Sequence, residues 1–421
     1  MNHTKQRIFL KLLSSYLLLF LIWTLFSFVF TDPNLILINH QYFLNYQTYL
    51  WQNILPNNHL RISLYVFLIM ALIINYFYLI KFWPQKINYS NKKIIFLILG
   101  ILFLLIISYN ALSHDVFNYI FNARILVKYG ANPHLVVAQR FSDDPWLRFM
   151  HNTHTPAPYG QAWTLISIVP YLLGFTKFLT TWLSFKVFAL LGMILACFCL
   201  KKLIKKDHKS PTKLALLFFN PLILLETIGN AHNDWWMMWP VLASFILIDR
   251  FKTAKQSKLF YLVAVCVLMF FSILTKYASL IAIPFLLYYL LKDQLNKLAF
   301  FKNKYLNQIK FFFDKYFWDL LSISFFLPLL TARSQRFLTW YLIWPMTFLP
   351  LLKSRWWQNT LVVFSLSALL SYLVDITYIP WLYFDQPLPN VLLLKQWLLW
   401  LPPLIYNGLF LIKKIGNNAK N

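Results

Sequence analysis

Twelve apolar runs constrain this chain more than any motif it carries. They lie near 8–30, 60–81, 93–112, 183–202, 213–229, 235–250, 259–275, 278–292, 316–332, 337–353, 358–375 and 390–412. A helix crosses a bilayer with roughly 20 predominantly apolar residues, and hydrocarbon admits only backbones that satisfy their own hydrogen bonds. The composition agrees. Hydrophobic residues make up 59% of the 421, mean hydropathy is +0.57, and charged residues reach only 12%, about half the share in soluble domains. The runs predict an all-α polytopic transmembrane protein of about 12 spans. No internal repeat, linker or room for a soluble domain divides it, so residues 1–421 read as a single integral membrane domain.

Charge orients the spans. The net charge of +26 would suggest nucleic acid in a soluble protein; here its distribution points to membrane orientation. Alternate connections gather Lys86, Lys92 and Lys93, then Lys201–Lys206, then Arg250, Lys252, Lys255 and Lys258. Lys302, Lys304 and Lys310 follow, then Lys353 with Arg355, and Lys413 with Lys414. The opposite connections are poor in Lys and Arg, as the positive-inside rule requires of an outer side. One run, Tyr159–Thr176, breaks the count if it crosses. It is short and contains Pro170 and Gly174, so it reads as a re-entrant or interfacial segment on the outer side. The N-terminal apolar stretch lacks a cleavage site and reads as a retained first span. Cys197, Cys199 and Cys266 lie inside apolar runs and read as packing residues.

Asp115 falls at the outer end of the third run, where a carboxylate is costly and a functional candidate. From Asp115 to Lys128 neither Gly nor Pro interrupts the chain. Val116, Tyr119, Ile120 and Leu126 form one helical face, with Asn118, Asn122 and Arg124 as polar positions. Gly130 stands where a C-cap glycine belongs. The spacing predicts an amphipathic helix on the outer membrane surface with Asp115 at its start; a helix cap is the plain alternative for that aspartate.

The other unusual polar residues fall on the same side. These are His151, His154 and Gln161, the turn Glu226-Thr-Ile-Gly-Asn-Ala-His-Asn-Asp234, Lys276, and Arg333 with Arg336. Sparse cations beside carboxylates suit an anionic headgroup on a lipid. Lys276, Arg333 and Arg336 can hold a phosphate through charge-assisted hydrogen bonds, or serve as flanking anchors. His232-Asn233-Asp234 can be a capped turn, yet Glu226 lies eight residues before Asp234 within apolar sequence and needs a partner. The histidines lack zinc-site spacing, so no metal is assigned.

Together these pieces resemble the GT-C superfamily of integral membrane glycosyltransferases, closest to bacterial polyprenyl-phosphate-mannose-dependent alpha-mannosyltransferases. The matching residues are Asp115-Val-Phe-Asn-Tyr119, Tyr129-Gly-Ala-Asn-Pro-His134, Thr155-Pro-Ala-Pro-Tyr-Gly160, and Asn220-Pro-Leu-Ile-Leu-Leu-Glu226 leading into His232-Asn-Asp234. Lys276 and the Trp340–Pro345 segment add to the likeness. The resemblance implies transfer of a sugar, mannose, from a polyprenyl-phosphate donor to a lipid-linked or polysaccharide acceptor outside the bacterial plasma membrane. Asp115 would be the catalytic base of a single inverting displacement. Asn118, Arg124, His154, Gln161, Glu226, His232, Asn233 and Asp234 would bind substrate, Lys276, Arg333 and Arg336 would hold the donor phosphate, and no cofactor is implied. The alternative is a multi-span transporter or glycolipid flippase. Such folds commonly show repeats and broken helices with midplane polar groups; here no repeat is visible and the polar residues sit at one face.

Overall fold

A computed structural model of the chain describes residues 3–31, 38–85, 91–204, 210–295, 304–330, 338–378 and 389–418. All regular structure among them is helical. The helices in chain order begin with α1 (His3–Ser27), α2 (Gln41–Tyr49), α3 (Asn58–Lys81), α4 (Lys92–Ile107) and α5 (Asp115–Tyr129). Then come α6 (Gln161–Ile166), α7 (Ile168–Leu172), α8 (Phe178–Leu203), α9 (Ser210–Phe218), α10 (Pro221–Leu224), α11 (Asp234–Thr253), α12 (Lys258–Thr275) and α13 (Ala282–Leu295). The remainder are α14 (Lys304–Lys315), α15 (Phe317–Phe326), α16 (Ile343–Met346), α17 (Arg355–Ser371), α18 (Leu373–Thr377) and α19 (Pro389–Asn418). Asn57, Asn91, Asn220 and Ser354 start α3, α4, α10 and α17 by accepting from backbone amides of the first turn, which satisfies donors the helix leaves orphaned.

Seven helical segments are long and apolar enough to cross a membrane, and an eighth is the pair α9–α10, bent by 57° with a π-turn continuing it to Gly229. Four of the twelve runs are missing from that count: the one at 235–250 forms the unbroken α11, with charged residues at both ends, and the other three have local causes. The run at 93–112 is helical only to Ile107. The run at 316–332 yields a shorter apolar helix. The run at 337–353 contains Pro345 and Pro350 and breaks into turns of three to four residues, as proline's missing N–H dictates. Tyr159–Thr176 forms the two short helices α6 and α7, neither long enough to span. Arg333 and Arg336 lie outside the described residues.

Helices α8, α11 and α12 pack side by side, with α1, α3 and α4 as a second group and α17–α19 closing on α3. The elements meet differently at the two ends. At one, Lys252 pairs with Asp293, Asp314 receives Lys292, Lys310 and the Tyr288 hydroxyl, and Tyr289 donates to Asp249. At the other, the start of α11 meets the end of α12 through Asp234 and Lys276, and the start of α5 faces the turn before α11 through Asp115 and His232.

That second end departs from expectation in one respect. Helix α5 does begin at Asp115 and end at Gly130, which is left-handed at φ +60°. Yet every residue from Val116 to Ile125 is buried, including Asn118, Asn122 and Arg124. It is a helix enclosed by protein, not one presenting a polar face outward. The loop at 138–150 covers it, held by one cluster. Asp144 receives Arg124 at 2.7 Å, Lys128 at 2.9 Å, the Tyr129 hydroxyl at 2.5 Å and the Trp146 amide at 2.9 Å, while Arg124 stacks over the Trp146 ring at 4.0 Å.

Candidate active site

The peptide that delivers Asp115 is irregular and tightly held. After α4 stops, the Tyr109 amide donates to the Ser27 hydroxyl, Trp182 donates to Asn110, and Lys186 donates to the Leu105 and Ser108 carbonyls. The Leu112 amide approaches the Asn230 side chain at 3.4 Å. Asp115 then opens α5, where the helix dipole favours its negative charge. His114 stacks on His151 with centroids 4.4 Å apart. Burial first, and then His151, push the His114 imidazole down to about 3, so it stays neutral beside Asp115 at ordinary pH.

Facing Asp115 is the turn that ends the bent pair. The π-turn Leu225–Gly229 runs into Ala231, which is left-handed at φ +60°, a conformation that costs a residue with a Cβ about 1–2 kcal/mol. The kink lets the His232 amide donate back to the Glu226 carbonyl at 3.1 Å and swings the imidazole between two acids. His232 Nε2 lies 3.3 Å from Glu226 Oε2, and Nδ1 lies 3.8 Å from Asp115 Oδ2. The imidazole also stacks on Trp340 at 4.1 Å. Neither ring nitrogen makes an aligned hydrogen bond; the Nε2 contact is close enough for one but bent.

Three carboxylates occupy this end in three different environments. Glu226 is fully buried, and its oxygens receive Asn230 at 2.8 Å, Thr339 at 2.9 Å and Tyr372 at 2.5 Å. Asp234 is equally buried; its Oδ1 receives Lys276 at 2.6 Å and the Trp344 indole at 2.5 Å. Asp115 retains 21% side-chain exposure. Of the three it alone is open to solvent.

The loop at 153–160 forms the adjoining wall. The Ala157 amide donates to the Pro133 carbonyl at 2.8 Å, joining the Asn132-Pro133 turn to the Thr155–Gly160 turn. The Gly160 amide donates to Thr275 at the end of α12 at 3.2 Å. A Cβ on Gly160 would stand 1.9 Å from the Leu274 carbonyl oxygen, so only glycine fits there. This clamp sets Tyr159 beside Asp115 and Lys276 just past α12. Burial, and then the Asp115 carboxylate, hold the Tyr159 hydroxyl well above its usual range, which keeps it a donor. The Tyr119 hydroxyl lies within electrostatic reach of Asp115, Tyr159, Asp234 and Tyr341, so these groups surround one space. Several buried polar atoms around it have no protein partner: Asn118 Oδ1, the Tyr119 hydroxyl, both amide atoms of Asn233, and Asp234 Oδ2. Each such atom ordinarily costs about 1–3 kcal/mol. Their concentration marks a site shaped for a polar ligand.

The structure therefore brings together Asp115, Asn118, His232, Asn233, Asp234 and Lys276 from the residues singled out in the sequence. Glu226 belongs to the cluster but is sealed behind His232. Arg124 does not join them. It stands nine residues along α5, about 14 Å from Asp115, and is bound to Asp144. His154 and Gln161 are exposed on the rim. Thr339 and Tyr372 gave no signal in the sequence, since both sit in apolar runs more than a hundred residues from Glu226. Among the described residues, no three His, Cys, Asp or Glu side chains converge so as to hold a metal ion.

A family model for the N-terminal domain of alpha-(1->6)-mannopyranosyltransferases matches residues 39–292, more than half of the chain. No curated protein and no solved structure matches the chain.

Proposed function

This chain belongs to that alpha-(1->6)-mannopyranosyltransferase family, and from that premise we propose that it moves mannose from a polyprenyl-phosphate donor onto a mannoside acceptor at the outer face of a bacterial plasma membrane. The observation that carries the reading is the open carboxylate. Asp115 is partly exposed, where Glu226 is buried and saturated by donors and Asp234 is buried with its Oδ1 held by Lys276 and Trp344. It takes the proton of an acceptor hydroxyl as that oxygen attacks the anomeric carbon. The bond from that carbon to the phosphate oxygen breaks, and its electron pair leaves with the phosphate. One displacement inverts the centre, so an alpha product requires a beta-linked donor. General-base help of this kind is worth ~10²–10⁴-fold.

Asn118, Asn233 and the protonated Tyr159 offer donors and acceptors to sugar hydroxyls. Lys276 spends one N–H on Asp234 and keeps two for the leaving phosphate, stabilising charge as it develops. Arg333 and Arg336 extend that role. The test is transfer of radiolabel from polyprenyl-phosphate-mannose to a synthetic alpha-mannoside by protein reconstituted in lipid. Wild type makes the labelled product, and a folded Asp115→Asn variant loses at least about a hundredfold in rate. A well-folded Asp115→Asn protein that retains substantial transfer removes Asp115 from the base role.

A further inference from the structure

A lysine inside a membrane span is expensive and calls for a function. Lys186 lies within α8, one of the helices long and apolar enough to cross, and is fully buried. Among the described residues its partners are carbonyl oxygens and a ring, not a carboxylate. Resting on the transferase reading, we propose that Trp182 and Lys186 form a clasp on α8 that positions the catalytic base Asp115 by fixing the peptide that leads to it.

The apolar run at 93–112 is helical only as far as Ile107, and side chains from other elements take over its backbone from there. Trp182 and Lys186 are four residues apart and share one face of α8. Lys186 Nζ donates to the Leu105 carbonyl at 3.3 Å and to the Ser108 carbonyl, at a helix end whose last carbonyls have no partner within the helix. With or without its extra proton, Nζ keeps an N–H for each of the two. It sits 4.7 Å from the centre of the Trp182 ring, and the Trp182 indole donates to Asn110 Oδ1 at 2.6 Å. Helix α8 thus holds residues 105, 108 and 110 at once.

Two further contacts complete the hold. The Tyr109 amide donates to the Ser27 hydroxyl at 2.9 Å. The Leu112 amide faces Asn230 at 3.4 Å, and Asn230 is itself bound to Glu226 at 2.8 Å. The chain between α4 and α5 is therefore gripped from three sides before it reaches Asp115. A base must meet its proton at hydrogen-bond reach, and a displacement of about 1 Å by a change far from the chemistry can cost ~10²-fold in rate. Lys186 and Trp182 act through Asp115 and are positioning residues.

The experiment places Lys186→Met, which keeps the apolar stem and removes the donor, and Asp115→Asn, singly and together, in the full chain reconstituted in liposomes. The substrates are radiolabelled polyprenyl-phosphate-mannose and a synthetic alpha-mannoside. Lys186→Met alone is expected to lose about tenfold to a hundredfold in kcat, with donor KM within about twofold of wild type. On the Asp115→Asn background the same change should cost less than about twofold, because residues that act as a unit are not additive. Hydrogen exchange should quicken in the peptide 108–114 and not along α8. A cooperatively melting Lys186→Met protein with kcat within about threefold of wild type overturns the clasp. So does a loss that repeats in full on the Asp115→Asn background, the mark of general support for the fold, and so does a rise in donor KM with kcat preserved. If Lys186→Met shows no cooperative melt, Trp182→Phe decides, since it keeps a ring beside Nζ and removes the N–H to Asn110. It is expected to lose at least about fivefold in kcat with the same non-additivity, and a loss below about twofold overturns the clasp. Transfer absent from wild type, or retained by Asp115→Asn, defeats the underlying transferase reading instead, a distinct result.

Discussion

Replacing Lys276 by methionine separates the buried ion pair its ammonium makes from the role proposed for it at the leaving phosphate. The pair with Asp234 is 2.6 Å long, with the carboxylate fully buried and the lysine side chain 14% exposed. Truncating one member of a buried ion pair costs about 3–5 kcal/mol, because the survivor is left as an uncompensated charge. Two features place this case near the lower figure: the Trp344 indole still donates to Asp234, and the lysine is slightly open to solvent. The variant should therefore melt well below wild type in detergent, and adding Asp234→Asn should recover most of that loss by removing the orphaned charge. Activity should behave differently. If Lys276 also stabilises the leaving phosphate, the double variant regains stability but stays at least about tenfold slower in transfer from polyprenyl-phosphate-mannose. A single variant that melts like wild type refutes the buried-pair argument. A double variant that regains both stability and rate refutes the phosphate role.

Gly160→Ala should be disproportionately harmful for one methyl group. The added carbon meets backbone rather than a yielding side chain, so the loop must leave Thr275; transfer should fall at least about tenfold while the melting temperature drops only modestly. Asp144 offers a pH test outside the spans. Its burial pushes the carboxyl upward, but Arg124, Tyr129, Lys128 and the Trp146 amide together hold it well below the usual carboxylate range. A depressed folded value means the cluster's stabilisation is complete above the unfolded value near about 4 and drains away as pH falls below it. Limited proteolysis of the loop at 138–150 should accordingly accelerate below about pH 4 in wild type, and Asp144→Asn should be cleaved rapidly at every pH.

Helix α5 and its neighbours show where a sequence is legible. Gly130 marked the end of α5 because left-handed backbone selects glycine, and Asp115 marked its start because an acid at a bilayer edge demands a reason. The gathering of Asp115, His232, Asn233, Asp234 and Lys276 followed from counting apolar runs and placing their connections on two sides. That survived even though the number of runs forming helices long and apolar enough to span fell to seven or eight, because a broken span still returns the chain to the same end. Hydropathy registers apolar residues, not continuous helix, so Pro345 and Pro350 were invisible to it as breaks. The burial of α5 was hidden for another reason: the cover is a loop, and loops carry no period. Arg124 looked like a site cation because its partner Asp144 lies on that loop. Glu226 was the most misleading of the acids. A carboxylate in an apolar run signals function, but not whether it touches substrate; that depends on Thr339 and Tyr372, brought from 113 and 146 residues away. Once those hydroxyls are in place the three acids cannot be interchangeable. Asp234 is paired with a lysine, Glu226 is saturated by neutral donors and turned toward His232, and Asp115 is left partly exposed at an opening, so the difference among chemically similar residues is set by partners that no local stretch of sequence contains.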